Sequence, residues 1–112
     1  MSKNSDIAKL EFILQMILDI ERIIERHESL DKALDDFEGN HALLMCLQQI
    51  GEALGKLKNE SWKIELESKE ASLMRNYIVH DYLGIKLEII KKTITINIPV
   101  IKEKILNLIH NK

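Results

Sequence analysis

Between Leu73 and Gly84 the chain reads Leu-Met-Arg-Asn-Tyr-Ile-Val-His-Asp-Tyr-Leu-Gly. Arg75 brings a permanent planar cation suited to phosphate. His80 brings an imidazole, the group whose ordinary pKa lies nearest neutrality, and Tyr82 brings a phenol. Asn76, beside the arginine, can both donate and accept hydrogen bonds. At about 100° per helical residue, Asn76 and His80 share one face and Arg75 and Tyr82 another, with Arg75 and His80 roughly 140° apart. One straight helix therefore does not aim Arg75 and His80 at the same atom. Three arrangements would: a helix that loosens before Gly84, an arginine that reaches around, or two copies that combine their stretches across an interface. Spacing alone is met equally by a surface Arg, a core or capping His and a packed Tyr.

The elements that must position these residues are helical. Apolar residues make up 46% and charged residues 30% of the 112, with one Pro and four Gly, a composition of a helical protein with one core. We expect a single domain over 1–112. The lone Cys46 excludes an internal disulfide and two-cysteine zinc motifs. No apolar block of a signal peptide and no run of roughly 18 uncharged apolar residues occurs, so a cytoplasmic protein is expected. The net charge of −2 argues against generic nucleic-acid binding, but charge is uneven. Residues 1–68 hold 8 Lys or Arg against 14 Asp or Glu, and residues 69–112 hold 8 against 4. The basic part contains Arg75 and His80. A solvated face and a local anion site both fit that pattern.

In order, Ser5 or Asp6 is expected to cap a first helix with Ile7, Leu10, Leu14, Ile17, Ile20 and Ile24 on one face. Phe12, Ile13, Met16 and Ile23 widen that face beyond one neighbour's needs, which suggests a partner copy. Ser29 and Asp31 should start a short second helix with Leu30, Leu34 and Phe37 that ends at Gly39. Asn40 should begin a third, whose Leu43, Leu47, Ile50, Leu54 and Leu57 form a packing seam, with Gly51 and Gly55 permitting close helix approach. Lys58 to Glu67 reads as a loop packing Trp62. Ser68 should open a fourth helix carrying Ala71, Met74 and Ile78 inward, redirected at Gly84. A fifth, from about Ile85, should break or kink before Pro99 and resume there.

Other constellations are weaker. Glu38 and His41 have the Glu-x-x-His spacing of di-metal bundles, but the second such pair and further carboxylates are missing. His27 and His110 fall at expected helix ends, where capping is their default role. Gly51 and Gly55 lack the Lys-Ser/Thr of a phosphate-binding loop.

The octet Arg75-Asn76-Tyr77-Ile78-Val79-His80-Asp81-Tyr82 resembles the Arg-x4-His-x-Tyr motif of HEPN-domain toxins of the HepT type, small all-α ribonucleases encoded with a minimal nucleotidyltransferase antitoxin. Met74, Leu83-Gly84-Ile85, Ile50-Gly51-Glu52-Ala53 and the late Pro99 resemble the same family. The resemblance implies an all-α, HEPN-like antiparallel bundle of about five helices. It implies a metal-independent endoribonuclease without cofactor, acting on RNA as a homodimer with the two motifs meeting in a cleft. Arg75 and His80 would be its catalytic residues, Asn76 the supporting polar residue, and Tyr82 the residue the antitoxin adenylylates. These roles suit the residue types: an imidazole can move the 2′-hydroxyl or leaving-group proton, and an Arg fork can stabilise the phosphorane. The competing reading is a non-catalytic helical module that binds RNA, a nucleotide or the nucleotidyltransferase. A third is a purely structural helical dimer. A free His80 beside Arg75 in a solvent-open cleft would favour cleavage; a buried one bonded to backbone would favour binding.

Overall fold

The computed structural model describes residues 2–111, so Met1 and Lys112, the ends of the expected domain, lie outside the described residues. Helix α1 spans Ser2–Arg26, so Ser5 and Asp6 lie inside it and do not cap it. Its buried stripe is Leu10, Ile13, Ile17 and Ile20, rotated toward Ile13, while Ile7, Leu14 and Ile24 are only half-buried. Asp6 is buried with that stripe. Its carboxylate accepts the N–H groups of Lys58 at 2.9 Å and Asn59 at 2.8 Å, fixing a distant turn.

Helix α2, Leu30–Asp35, is capped by Ser29, whose hydroxyl accepts the Lys32 N–H. It stops earlier than expected, because Asp36 adopts extended backbone and its carboxylate accepts the Gly39 N–H at 2.8 Å. Asp36 is thus the N-cap of α3, Phe37–Gly55. Phe37 and Gly39 belong to α3, which Asn40 does not start, and Phe37 is 71% exposed. The seam residues Leu43, Leu47, Ile50, Leu54 and Leu57 are all buried, as expected. Cys46 is buried too, and burial pushes its thiol up to about 11.

The stretch expected as a loop contains a short helix, α4, Glu60–Glu65, because the Asn59 side chain accepts the Trp62 N–H and caps it. Trp62 packs on the core. Glu67 turns the chain in left-handed backbone at φ 54°, and α5 runs from Ser68 to His80. Ser68 starts α5 but does not cap it; its hydroxyl donates to the Leu54 carbonyl of α3. Ile78 is buried, with Ala71 and Met74 packed beside it.

After α5 a tight turn at Tyr82–Gly84 leads to α6, Leu87–Lys92. A wide π-turn at Thr93–Asn97 joins α6 to α7, Ile98–His110. The strand-like composition of 93–98 is therefore helical. The regular α-helix is interrupted at this π-turn just before Pro99, although Ile98 itself keeps right-handed helical backbone and donates to the Thr93 carbonyl five residues back. Pro99 falls in the first turn of α7, directly after the wide turn. The five expected segments correspond to α1, α2, α3, α5 and the α6–α7 rod. Among the described residues there is no strand, and no helix is long and apolar enough to cross a membrane.

Candidate active site

The site is built where α5 crosses α3. A Cβ added to Gly51 would lie 2.6 Å from Arg75 Cβ and 2.7 Å from the Ala71 carbonyl oxygen, and one on Gly55 would lie 2.9 Å from Ser72 Oγ. The missing side chains let α5 lie against α3 with the Arg75 stem over Gly51. The next α3 residue, Glu52, places Oε1 3.0 Å from Arg75 Nε, and its other oxygen stands 3.3 Å from Lys56 Nζ. On the far side of the guanidinium, Nη1 donates to Asn76 Oδ1 at 3.0 Å.

The Arg75 fork is thus stretched between Glu52 on α3 and Asn76 on α5. Asn76 lies one turn before His80 on the same helical face. Helix α5 does not loosen before His80, and within one chain the Arg75 guanidinium reaches Asn76, which shares the histidine's helical face. Guanidinium carries five N–H donors, and those not directed at Glu52 and Asn76 are available to an anion. His80 is the last residue of α5. It is exposed, and its ring has no hydrogen-bond partner among the described residues.

Tyr82 stands just past the helix end. The turn that carries it is held by the Lys86 N–H donating to the Tyr77 hydroxyl at 2.9 Å and by the Gly84 N–H donating to the Asp81 carbonyl at 2.8 Å. The half-buried Tyr82 ring lies nearly parallel to that of His41 on α3, with 11° between planes and 5.4 Å between centroids. Its hydroxyl shares a hydrogen bond with His41 Nδ1, in which the phenol is the donor when the imidazole carries its hydrogen on Nε2. Phe37 abuts the His41 ring edge-on, 6.5 Å away. The four expected residues lie at the α3–α5 surface, outside the apolar cavity of about 150 Å³ bordered by Leu47, Gly51, Met74 and Ile98.

Two residues of this arrangement escaped sequence reasoning. In the sequence Glu52 stands out only within the Ile50-Gly51-Glu52-Ala53 resemblance; a charged residue directly after a helix-contact glycine is the signal that it could reach a side chain crossing there. His41 was weighed as half of a Glu-x-x-His pair, yet its partner is Tyr82, 41 residues away, and no periodicity signals that meeting. Among the described residues no group of three or more His, Cys, Asp or Glu is arranged to hold a metal ion. His27 does close α1, as expected, with Nδ1 donating to the Ile23 carbonyl at 2.8 Å and Nε2 3.2 Å from Asp36 Oδ2.

A family model described as "Ribonuclease HepT-like" matches residues 13–108. The chain is also 30% identical over 104 residues to the "Probable ribonuclease HepT" of Thermococcus cleftensis, an alignment covering 91% of this chain and 94% of that protein. No solved structure matches the chain significantly.

Proposed function

The chain belongs to the HepT-like ribonuclease family, and on that premise we propose that it is a metal-independent endoribonuclease toxin. It acts as a homodimer, cleaves RNA with Arg75 and His80, and is neutralised when a cognate minimal nucleotidyltransferase adenylylates Tyr82. His80 takes the 2′-hydroxyl proton or returns one to the leaving 5′-oxygen, and the Arg75 fork binds the phosphate whose charge grows in the transition state. Asn76 holds the fork on the His80 face. An adenylate on Tyr82 adds bulk and negative charge beside this site and repels RNA phosphate.

One observation carries the reading. The His80 ring is exposed and unengaged, one turn beyond the Asn76 amide that takes the arginine. A binding-only module would instead be expected to bury that ring against backbone. Exposed Phe12 and Leu18 on α1, and Leu73 and Val79 on α5, support a second copy as the partner of these helices. The test is RNA cleavage by the purified protein. His80→Ala and Arg75→Ala should each abolish cleavage while circular dichroism stays helical, and undiminished cleavage by both would overturn the assignment. Tyr82→Phe should cleave RNA but resist modification.

A further inference from the structure

We propose that His41 is the proton acceptor for the Tyr82 phenol when that hydroxyl takes up a nucleotidyl group, an inference that rests on the Tyr82 modification proposed above. The two rings come from segments 41 residues apart, and the Tyr82 hydroxyl oxygen and His41 Nδ1 share one hydrogen bond. The near-parallel rings, 5.4 Å apart, and Phe37 against the imidazole edge hold that alignment before any partner arrives. A protonated phenol is a weak nucleophile, and an adjacent imidazole is the usual means of activating a hydroxyl. Nδ1 accepts the proton only in the tautomer that carries hydrogen on Nε2. His41 is exposed, so the proton it gains can pass on to water.

The step balances with ATP as co-reactant. Tyr82 Oη attacks the α-phosphorus, the Oη–P bond forms, and the bond from that phosphorus to the oxygen bridging the β-phosphate breaks. Pyrophosphate leaves with the electron pair, and the phenolic proton moves to His41 Nδ1. No redox change occurs. The same contact places His41 outside the Arg75, Asn76 and His80 group that handles RNA.

The experiment follows the intact mass of the full chain over time with its cognate nucleotidyltransferase and ATP, for wild type, His41→Asn, His41→Ala and Tyr82→Phe. Asn keeps an acceptor near the Nδ1 position but cannot hold the proton, so His41→Asn separates proton transfer from positioning. Circular dichroism and melting establish that each variant is folded. The expected result is a modification rate lower by on the order of 100-fold in both His41 variants. Free imidazole should partly restore His41→Ala, and the wild-type loss of rate toward acid pH should be absent in His41→Asn. Equal or faster modification of folded His41→Asn, with wild type modified at Tyr82, overturns the role of His41 and leaves the Tyr82 assignment standing. No adduct on wild-type Tyr82 overturns both.

Discussion

Glu52 and Arg75 meet across the α3–α5 contact with Oε1 3.0 Å from Nε, so the arginine proposed to bind the RNA phosphate is aimed from the neighbouring helix. Both side chains are more than a third exposed, and such a pair contributes at most about 1 kcal/mol to stability. Its value lies in orientation. Glu52→Ala should leave the melting temperature nearly unchanged while lowering RNA cleavage about tenfold or more, since a misplaced positioning contact has a large effect on rate. Glu52→Gln, which still accepts from Nε, should recover part of the loss. Steady-state kinetics on both variants check this; unchanged cleavage by Glu52→Ala would remove Glu52 from the site.

Gly51 and Gly55 should respond differently to alanine. At Gly51 the new methyl meets the Arg75 stem and the Ala71 backbone, neither of which can swing away. Gly51→Ala should cost about 1–3 kcal/mol and also lower cleavage by displacing Arg75. At Gly55 the obstacle is only the Ser72 hydroxyl, and alanine gains about 1 kcal/mol of helix propensity. Gly55→Ala should be close to neutral. Denaturant melts distinguish the two.

Asp6 ties α1 to the turn before α4 by accepting two backbone N–H groups. Asp6→Ala leaves those donors without their acceptor and should destabilise the protein by about 1–3 kcal/mol. Asp6→Asn, which keeps one acceptor oxygen, should lose less. Hydrogen exchange at Lys58 and Asn59 should accelerate in both variants.

His27 and Asp36 predict a pH window. The Ile23 carbonyl and the Asp36 carboxylate both accept, so both ring nitrogens favour protons, and the His27 pKa is raised, chiefly by the Ile23 carbonyl. The Asp36 pKa is lowered, chiefly by the Gly39 N–H and also by His27. The raised histidine contributes stability that is present below the ordinary imidazole range and lost as pH rises through its folded value. The lowered carboxylate contributes stability that is present above the ordinary carboxylate range and lost as pH falls through its folded value. The stability difference between wild type and His27→Gln should therefore be greatest near about pH 5–6 and shrink toward about pH 9. Denaturation curves across that range test the sign.

Much of the fold was legible because apolar spacing is enforced by burial. The seam from Leu43 to Leu57 and the inward Ile78 follow from periodicity alone, and so do the glycines that admit α5. What escaped depends on polar groups meeting at a distance or on local competition for N–H groups. Asp36 ended α2 because its carboxylate found Gly39, and Asp6 was read as its own helix's cap although its partners lie in another segment. At the site, helical angles place Arg75 and His80 on different faces of α5, but they could not reveal that Glu52 and Asn76 hold the arginine between two helices. His41 was invisible for the same reason: the contact is tertiary.

The wide turn at Thr93–Asn97 has a bearing on how the α6–α7 rod tolerates change. A π-turn is an α-helix widened locally by one residue, and the helix stays on the core across it, with Ile90 before it and Ile105 after it both fully buried. Length and facing are thereby uncoupled in the α6–α7 rod. Removing the exposed Ile96 together with Pro99→Ala should yield an ordinary α-helix whose two halves still turn the same stripes toward the core. On that outcome the segment would be a spacer of adjustable count, with the proline seated directly behind its wide turn.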